Sequence, residues 1–176
     1  MTDLDSAFRL AHSMADTARS LASKYFRQIG GYDLKADSSP VTVADRDIEL
    51  SLRQAIAAVF PGHSVYGEEF GADITSDQIW VIDPIDGTKS FVTGVPLFGS
   101  LIAFVEGDIA RIGIVEIPFL RERWSALAGQ GTTLNGTACR TSGCTRLSEA
   151  RILTTSPDAY DAAETVAYDR LSKAAR

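Results

Sequence analysis

The stretch Ser100–Ile117, "SLIAFVEGDIARIGIVEI", constrains the fold more than any other part of the chain. Two apolar-rich halves flank Glu106-Gly107-Asp108, so the segment reads as two strands joined by a hairpin turn. "SVYGEE" (64–69), "IWVID" (79–83) and "ERWSALAG" (122–129) read as further strands. Upstream the period is helical. Leu4, Phe8, Ala11, Ala15, Ala18, Ala22 and Phe26 recur on one face over residues 3–27, with Thr2 and Asp5 in a capping-box arrangement and Gly30-Gly31 as the stop. Ile48, Leu52, Ile56 and Val59 predict a second helix from about 44 to 60, capped by Thr42 and ended by Pro61-Gly62. Two helices followed by a mostly antiparallel sheet indicate an α+β fold.

Beyond a turn at Asn135-Gly136, "ARILTTSP" (150–157) is expected to form a short strand and "AAETVAYDRLSKAAR" (162–176) a helix. Neither Gly nor Pro follows that helix, the pattern of a chain cut short. The organisation expected is an N-terminal metal- and phosphate-binding domain over 1–150 and the start of a second αβ domain over 151–176.

Composition narrows the function. At 176 residues, 45% apolar and 23% charged, the chain matches a soluble globular protein. A net charge of -6 with scattered Lys and Arg argues against a nucleic-acid partner. No apolar run approaches the roughly 18 residues of a membrane span, and the acidic N-terminus is unlike a targeting peptide, so a cytoplasmic location is expected. Cys139 and Cys144, in "CRTSGC", lack the companions of a zinc site and read as reduced thiols. His12 and His63 are assigned surface or packing roles, because no partner motif surrounds either.

Acids gather in three places: "PVTVADRD" (Asp45, Asp47), "VYGEEF" (Glu68, Glu69) and "VIDPIDGT" (Asp83, Asp86). Each alone would be a solvated charge, and Asp-Gly-Thr alone a turn. Several converging near strand ends would repel one another unless cations lay between them, and hard oxygen donors select Mg²⁺ over zinc. A haloacid-dehalogenase nucleophile motif competes for the same stretch, but its acids stand two apart. Asp83 and Asp86 are three apart, and on an extended strand they share a face only if the chain kinks at Pro84. That spacing favours metal ligation, with Pro84 freeing the Ile85 carbonyl from a regular ladder.

Together "PVTVAD" (40–45), "GEE" (67–69) and "DPIDGT" (83–88) resemble the N-terminal signatures of the inositol monophosphatase family. "DPIDGTKSFVTGVPLFGSLIAF", "IPFLRERW", "TLNG" and "LSEARILTTSP" are most similar to its histidinol-phosphatase branch. The resemblance implies a layered αβαβα sugar-phosphatase fold and a second half that carries another metal-binding aspartate and much of the substrate pocket. It also implies that Glu68, Asp83 and the Ile85 carbonyl hold a first Mg²⁺, and that Asp83 and Asp86 serve a second. Thr88 matches the hydroxyl that orients the attacking water, with Asp45 as its partner, and Gly87 and Thr88 match the phosphate-binding backbone. Lys89 is either a surface lysine or a substrate contact, while Asp47 and Glu69 are expected to support the site from outside.

The expected activity is therefore Mg²⁺-dependent hydrolysis of a small phosphate monoester, histidinol phosphate ahead of inositol, sugar or nucleotide phosphates. The alternative is an incomplete fragment that binds metal or self-associates, with homodimerisation through an open sheet edge.

Overall fold

The computed structural model describes residues 2–28, 30–35, 40–154 and 160–175, and the chain divides into two compact units, Met1–Cys139 and Arg140–Arg176. The first begins with α1 (Leu4–Tyr25), capped by Asp3, whose carboxylate accepts from the Asp5 N–H. Thr2, expected to be the cap, instead donates its N–H to Glu106 Oε1 at 3.2 Å. Asp3 wins because it stands immediately before the first helical residue, where a short side-chain acceptor meets the free amides. Ala7, Ala11, Ala15, Ala18 and Ala22 form a buried stripe of small side chains, which lets α1 approach its neighbours closely.

After a small ladder of β1 (Asp33–Leu34) and β2 (Pro40–Val41) comes α2 (Val43–Val59). Its cap is Thr42, as expected, in a full capping box with Asp45. Ile48, Leu52 and Ile56 are buried, but Val59 is exposed, and Phe60 one residue on packs against the core instead.

An eight-stranded sheet packs on these helices. Its strands are β3 (Ser64–Gly67), β4 (Gly71–Asp73), β5 (Gln78–Asp86), β6 (Gly99–Glu106), β7 (Ile109–Ile117), β8 (Glu122–Leu127), β9 (Gly131–Leu134) and β10 (Thr137–Cys139). The order is β10-β9-β8-β7-β6-β5-β3-β4, and every pair is antiparallel except β3 with β5. The α+β expectation holds, with hairpins where Gly107 and Asn135-Gly136 turn the chain.

Register explains the core. Trp80, Phe104 and Ile112 lie in one cross-strand row, and Ile82, Ile102 and Ile114 in the next. All six are buried. At about 25 cal/mol per Å², aromatic and branched side chains in such rows supply much of the drive to pack helices on this face. The same core continues through Phe26 after α1, which meets Phe91 in the short helix α3 (Thr88–Thr93) and Phe98 at ring-centroid distances of 5.7 and 5.3 Å.

In the second unit, a 3₁₀ turn (Leu147–Glu149) precedes α4 (Ala162–Ala174), which Asp161 and Glu164 cap reciprocally. Residues 150–154 form no strand, contrary to expectation, because they find no ladder partner; the rest of "ARILTTSP" lies outside the described residues. Among the described residues no helix is long and apolar enough to cross a membrane.

Candidate metal and phosphate site

The site is assembled where β5 ends. Opposite β6, Asp83 pairs with Leu101 and Asp86 with Gly99, so three steps on β5 match two on β6. This is a bulge, and Pro84, which has no N–H to give the ladder, sits in it. The Pro84 carbonyl accepts from the buried Ser100 hydroxyl at 2.6 Å. The Ile85 carbonyl accepts from Thr88 Oγ1 at 2.9 Å. The expected kink at Pro84 is thus a defect within a continuous strand. Gly87 follows at φ 86°, a left-handed conformation natural to glycine, and opens α3.

Asp45 reaches the same place from α2. Its Oδ2 accepts from the Thr42 N–H at 2.8 Å and the Thr42 hydroxyl at 2.5 Å, leaving Oδ1 facing Thr88 Oγ1 at 3.5 Å. The Thr88 hydrogen has its shorter acceptor in Ile85, so the hydroxyl lies between the two rather than belonging to Asp45 alone. Burial pushes the Asp45 carboxyl above its ordinary pKa, against the Thr42 hydrogen bonds that pull it down.

Among the described residues Asp83 is the most perturbed acid. Burial, with the Glu68 carboxylate within hydrogen-bonding reach and Asp86 and Asp45 adding their charge, raises its pKa to about 8. Its Oδ1 is buried and has no hydrogen-bond partner among the described residues. Glu68 is brought alongside by its own backbone, since its N–H donates to the Ile82 carbonyl at 3.2 Å and so extends the β3–β5 pairing.

A protein cation already enters this acidic cluster. Lys35 Nζ lies 2.6 Å from Glu68 Oε1 and 2.7 Å from Glu69 Oε1. Burial works against its charge, but the two carboxylates outweigh that and hold its pKa up. Burial in turn raises the Glu69 carboxyl, with Lys35 opposing. Lys35 stands in no motif, and nothing in the sequence marked it.

The expected ligands therefore meet only in part. Glu68 and Asp83 are adjacent, Asp86 and Asp45 act on Asp83 electrostatically, and the Ile85 carbonyl accepts from Thr88 with one of its two lone pairs. Among the described residues no three carboxylate, imidazole or thiolate groups are drawn together tightly enough to hold an ion. The donor set nevertheless suits Mg²⁺. It consists of hard oxygens, one of them buried and orphaned, beside a point where an ammonium group is drawn in. Asp47 accepts from the Tyr25 hydroxyl, away from this cluster. Lys89 is exposed.

The histidines pack, as expected. His63 is stacked between Phe60 and Phe104, at centroid distances of 4.5 and 5.4 Å, and its Nδ1 accepts from Trp80 Nε1 at 3.1 Å. His12 meets the edge of Phe8 at 4.6 Å.

Helices on a mostly antiparallel sheet, with acids collected at the ends of β3 and β5, are the architecture of inositol-monophosphatase-type phosphatases. An inositol monophosphatase from Zymomonas mobilis superposes with a TM-score of 0.86 at 36% identity, covering 100% of this chain and 68% of that one. The chain belongs to the inositol monophosphatase family, whose model matches residues 3–173. It is 40% identical over 173 residues to the bifunctional phosphatase IMPL2 of Arabidopsis thaliana, covering 97% of this chain and 50% of that protein. It is 44% identical over 124 residues to the histidinol-phosphatase of Mycobacterium tuberculosis, covering 69% of this chain and 48% of that protein. The chain thus spans about half the length of these relatives.

Proposed function

We propose that this chain carries the metal- and phosphate-binding part of a Mg²⁺-dependent phosphomonoesterase that acts on histidinol phosphate, with a cytoplasmic location as part of the same reading. The observation that carries the proposal is Asp83: a half-buried carboxyl with one buried, orphaned oxygen, crowded by Glu68 and two further acids, takes its charged form near neutral pH far more readily beside a cation. Glu68, Asp83 and the Ile85 carbonyl would hold one ion, and Asp83 with Asp86 would serve a second. Bound there, magnesium would supply Lewis acidity to the phosphoryl group and lower the pKa of a coordinated water.

The chain's own residues do the positioning. Asp45, locked by the Thr42 cap, and the Ile85 carbonyl fix the Thr88 hydroxyl from two sides. A hydroxyl so held can orient an attacking water. Gly87 presents no side chain to an approaching phosphate, and the backbone of Thr88 opens α3 beside it. The likeness to histidinol-phosphatases supports the substrate, while inositol phosphates are the second reading, favoured by the fold match to the Zymomonas enzyme.

The test has two parts. Calorimetry should show Mg²⁺ binding that Asp83→Asn weakens at least tenfold and Asp47→Asn leaves almost unchanged; equal losses would remove Asp83 from its role. Phosphate release from histidinol phosphate and inositol 1-phosphate, compared on the chain extended to the length of its relatives, decides the substrate. Preference for the inositol ester would overturn the first choice.

A further inference from the structure

Glu49 of α2 is fully buried, yet no part of the chemistry above uses it. Its carboxylate is turned toward the backbone of the turn that carries Glu68. Oε2 accepts from the Glu69 N–H at 2.8 Å, and Oε1 accepts from the Phe70 N–H at 3.3 Å and from Arg53 Nε at 2.8 Å. Arg53, one helical turn on, donates through Nη2 to the Gly71 carbonyl at 2.5 Å. Gly67 completes the fit, because a Cβ there would lie 1.9 Å from Glu49 Oε1. Since Gly67 has no positive φ, the glycine is required by this contact and not by its own backbone.

We propose that Glu49 is a positioning residue for the cation site, holding the 67–71 turn so that the Glu68 carboxylate stays beside Asp83. The peptide before Glu68 is tied by its N–H to the Ile82 carbonyl, and the peptide after it is tied by the Glu69 N–H to Glu49. Fixing both peptides removes the backbone freedom that would let two like charges swing apart. A surface carboxylate could not do this, because water would compete for the same amides. Burial makes Glu49 costly to leave unpaired, so its donors are held in place. Arg53 supplies the countercharge and at the same time clamps the far end of the turn. The proposal rests on the reading of Glu68 and Asp83 as magnesium ligands.

Calorimetry with Mg²⁺ and amide hydrogen exchange test it together on the wild-type chain, Glu49→Gln, Glu49→Asp and Leu52→Val. Leu52→Val destabilises the same helix without touching the turn. Glu49→Gln keeps the shape but replaces one acceptor by an amide NH2, a donor set against either the Glu69 N–H or the Arg53 guanidinium. It should weaken Mg²⁺ binding about 10- to 100-fold, the usual effect of losing a ligand's supporting partner, and speed exchange at Glu69 and Phe70. Leu52→Val should leave affinity unchanged. If Glu49→Gln fails to fold, Glu49→Asp, one methylene short of the amides, carries the comparison with the same expected direction. Wild-type affinity in a folded Glu49 variant, or an equal loss in Leu52→Val, overturns the proposal. Should the wild-type chain bind no Mg²⁺, the reading of the site fails separately. Exchange then decides the Glu49 anchor alone: faster at Glu69 and Phe70 in the variant supports it, unchanged overturns it.

Discussion

Two residues make the chain's stability depend on pH in opposite directions. Asp83 has a folded pKa of about 8 against an ordinary 3.8, so without metal the folded state holds its proton more tightly than the unfolded state. Its contribution is complete below 3.8 and is lost as pH rises toward 8. Asp83→Asn should therefore stabilise the metal-free chain most above pH 8 while weakening Mg²⁺ binding, a trade of stability for function. Urea melts in chelator from pH 5 to 9 check this; a variant no more stable than wild type at pH 9 would contradict it. His63 behaves in reverse. Burial lowers its pKa below 6.5, with Glu106 pulling the other way, and a proton on Nδ1 would face the Trp80 N–H. The unfolded chain protonates first, so stability is complete above pH 6.5 and declines as pH falls below it. His63→Gln keeps an acceptor for Trp80 but cannot titrate, and should remove that decline between pH 6.5 and 5.

At the scale of elements, Thr42 links helix formation to the site. Its side chain caps α2 through the Ala44 N–H at 3.1 Å, and its N–H and hydroxyl hold the Asp45 carboxylate. Thr42→Ala should cost about 1 kcal/mol from the lost cap and should also release Asp45 from its fixed orientation toward Thr88. Thr42→Ser should restore both. A fall in the urea midpoint rescued by Ser is the expected result, and equal midpoints for Ala and Ser would show the cap to be idle. The bulge in β5 is the companion device: it lets one strand present Asp83 and Asp86 to the same site although their spacing forbids it on a regular ladder.

For the molecule as a whole, the sheet face away from α1 and α2 carries an apolar groove. Val81, Leu101, Ala103, Val115 and Trp124 line a groove of about 750 Å³ there. Trp124 and Val115 are each 37% exposed. An apolar face of this kind invites association. Residues 1–176 alone should self-associate with rising concentration in sedimentation experiments, and Trp124→Lys should shift them toward monomer. On the proposed function, the chain should hydrolyse histidinol phosphate at least about a hundredfold more slowly than one of the relatives' full length, because the family resemblance implies a further metal-binding aspartate in the second half, and lacking such a ligand costs several kcal/mol at tenfold per 1.4 kcal/mol. Comparable turnover by the two would show that the part described here suffices.

Much of this was legible in the chain itself. The alanine stripe of α1, the Thr42 cap, the hairpin at Gly107 and the three acidic motifs are local signals, because period, capping and turn chemistry act over a few residues. The second cap failed where two acceptors, Thr2 and Asp3, compete one residue apart. Strand β3 ends at Gly67 instead of running through Glu69, since the Glu49 carboxylate takes the Glu69 amide. That contact joins residues 20 positions apart, as the Lys35 bridge to Glu68 joins residues 33 apart. No local pattern encodes either. By itself the sequence determined which residue types the site contains and which elements carry them. Only the tertiary structure decided which acid is buried, which oxygen is left without a partner and which side chains hold the turn, because desolvation and side-chain pairing depend on neighbours that the fold brings together from far along the chain.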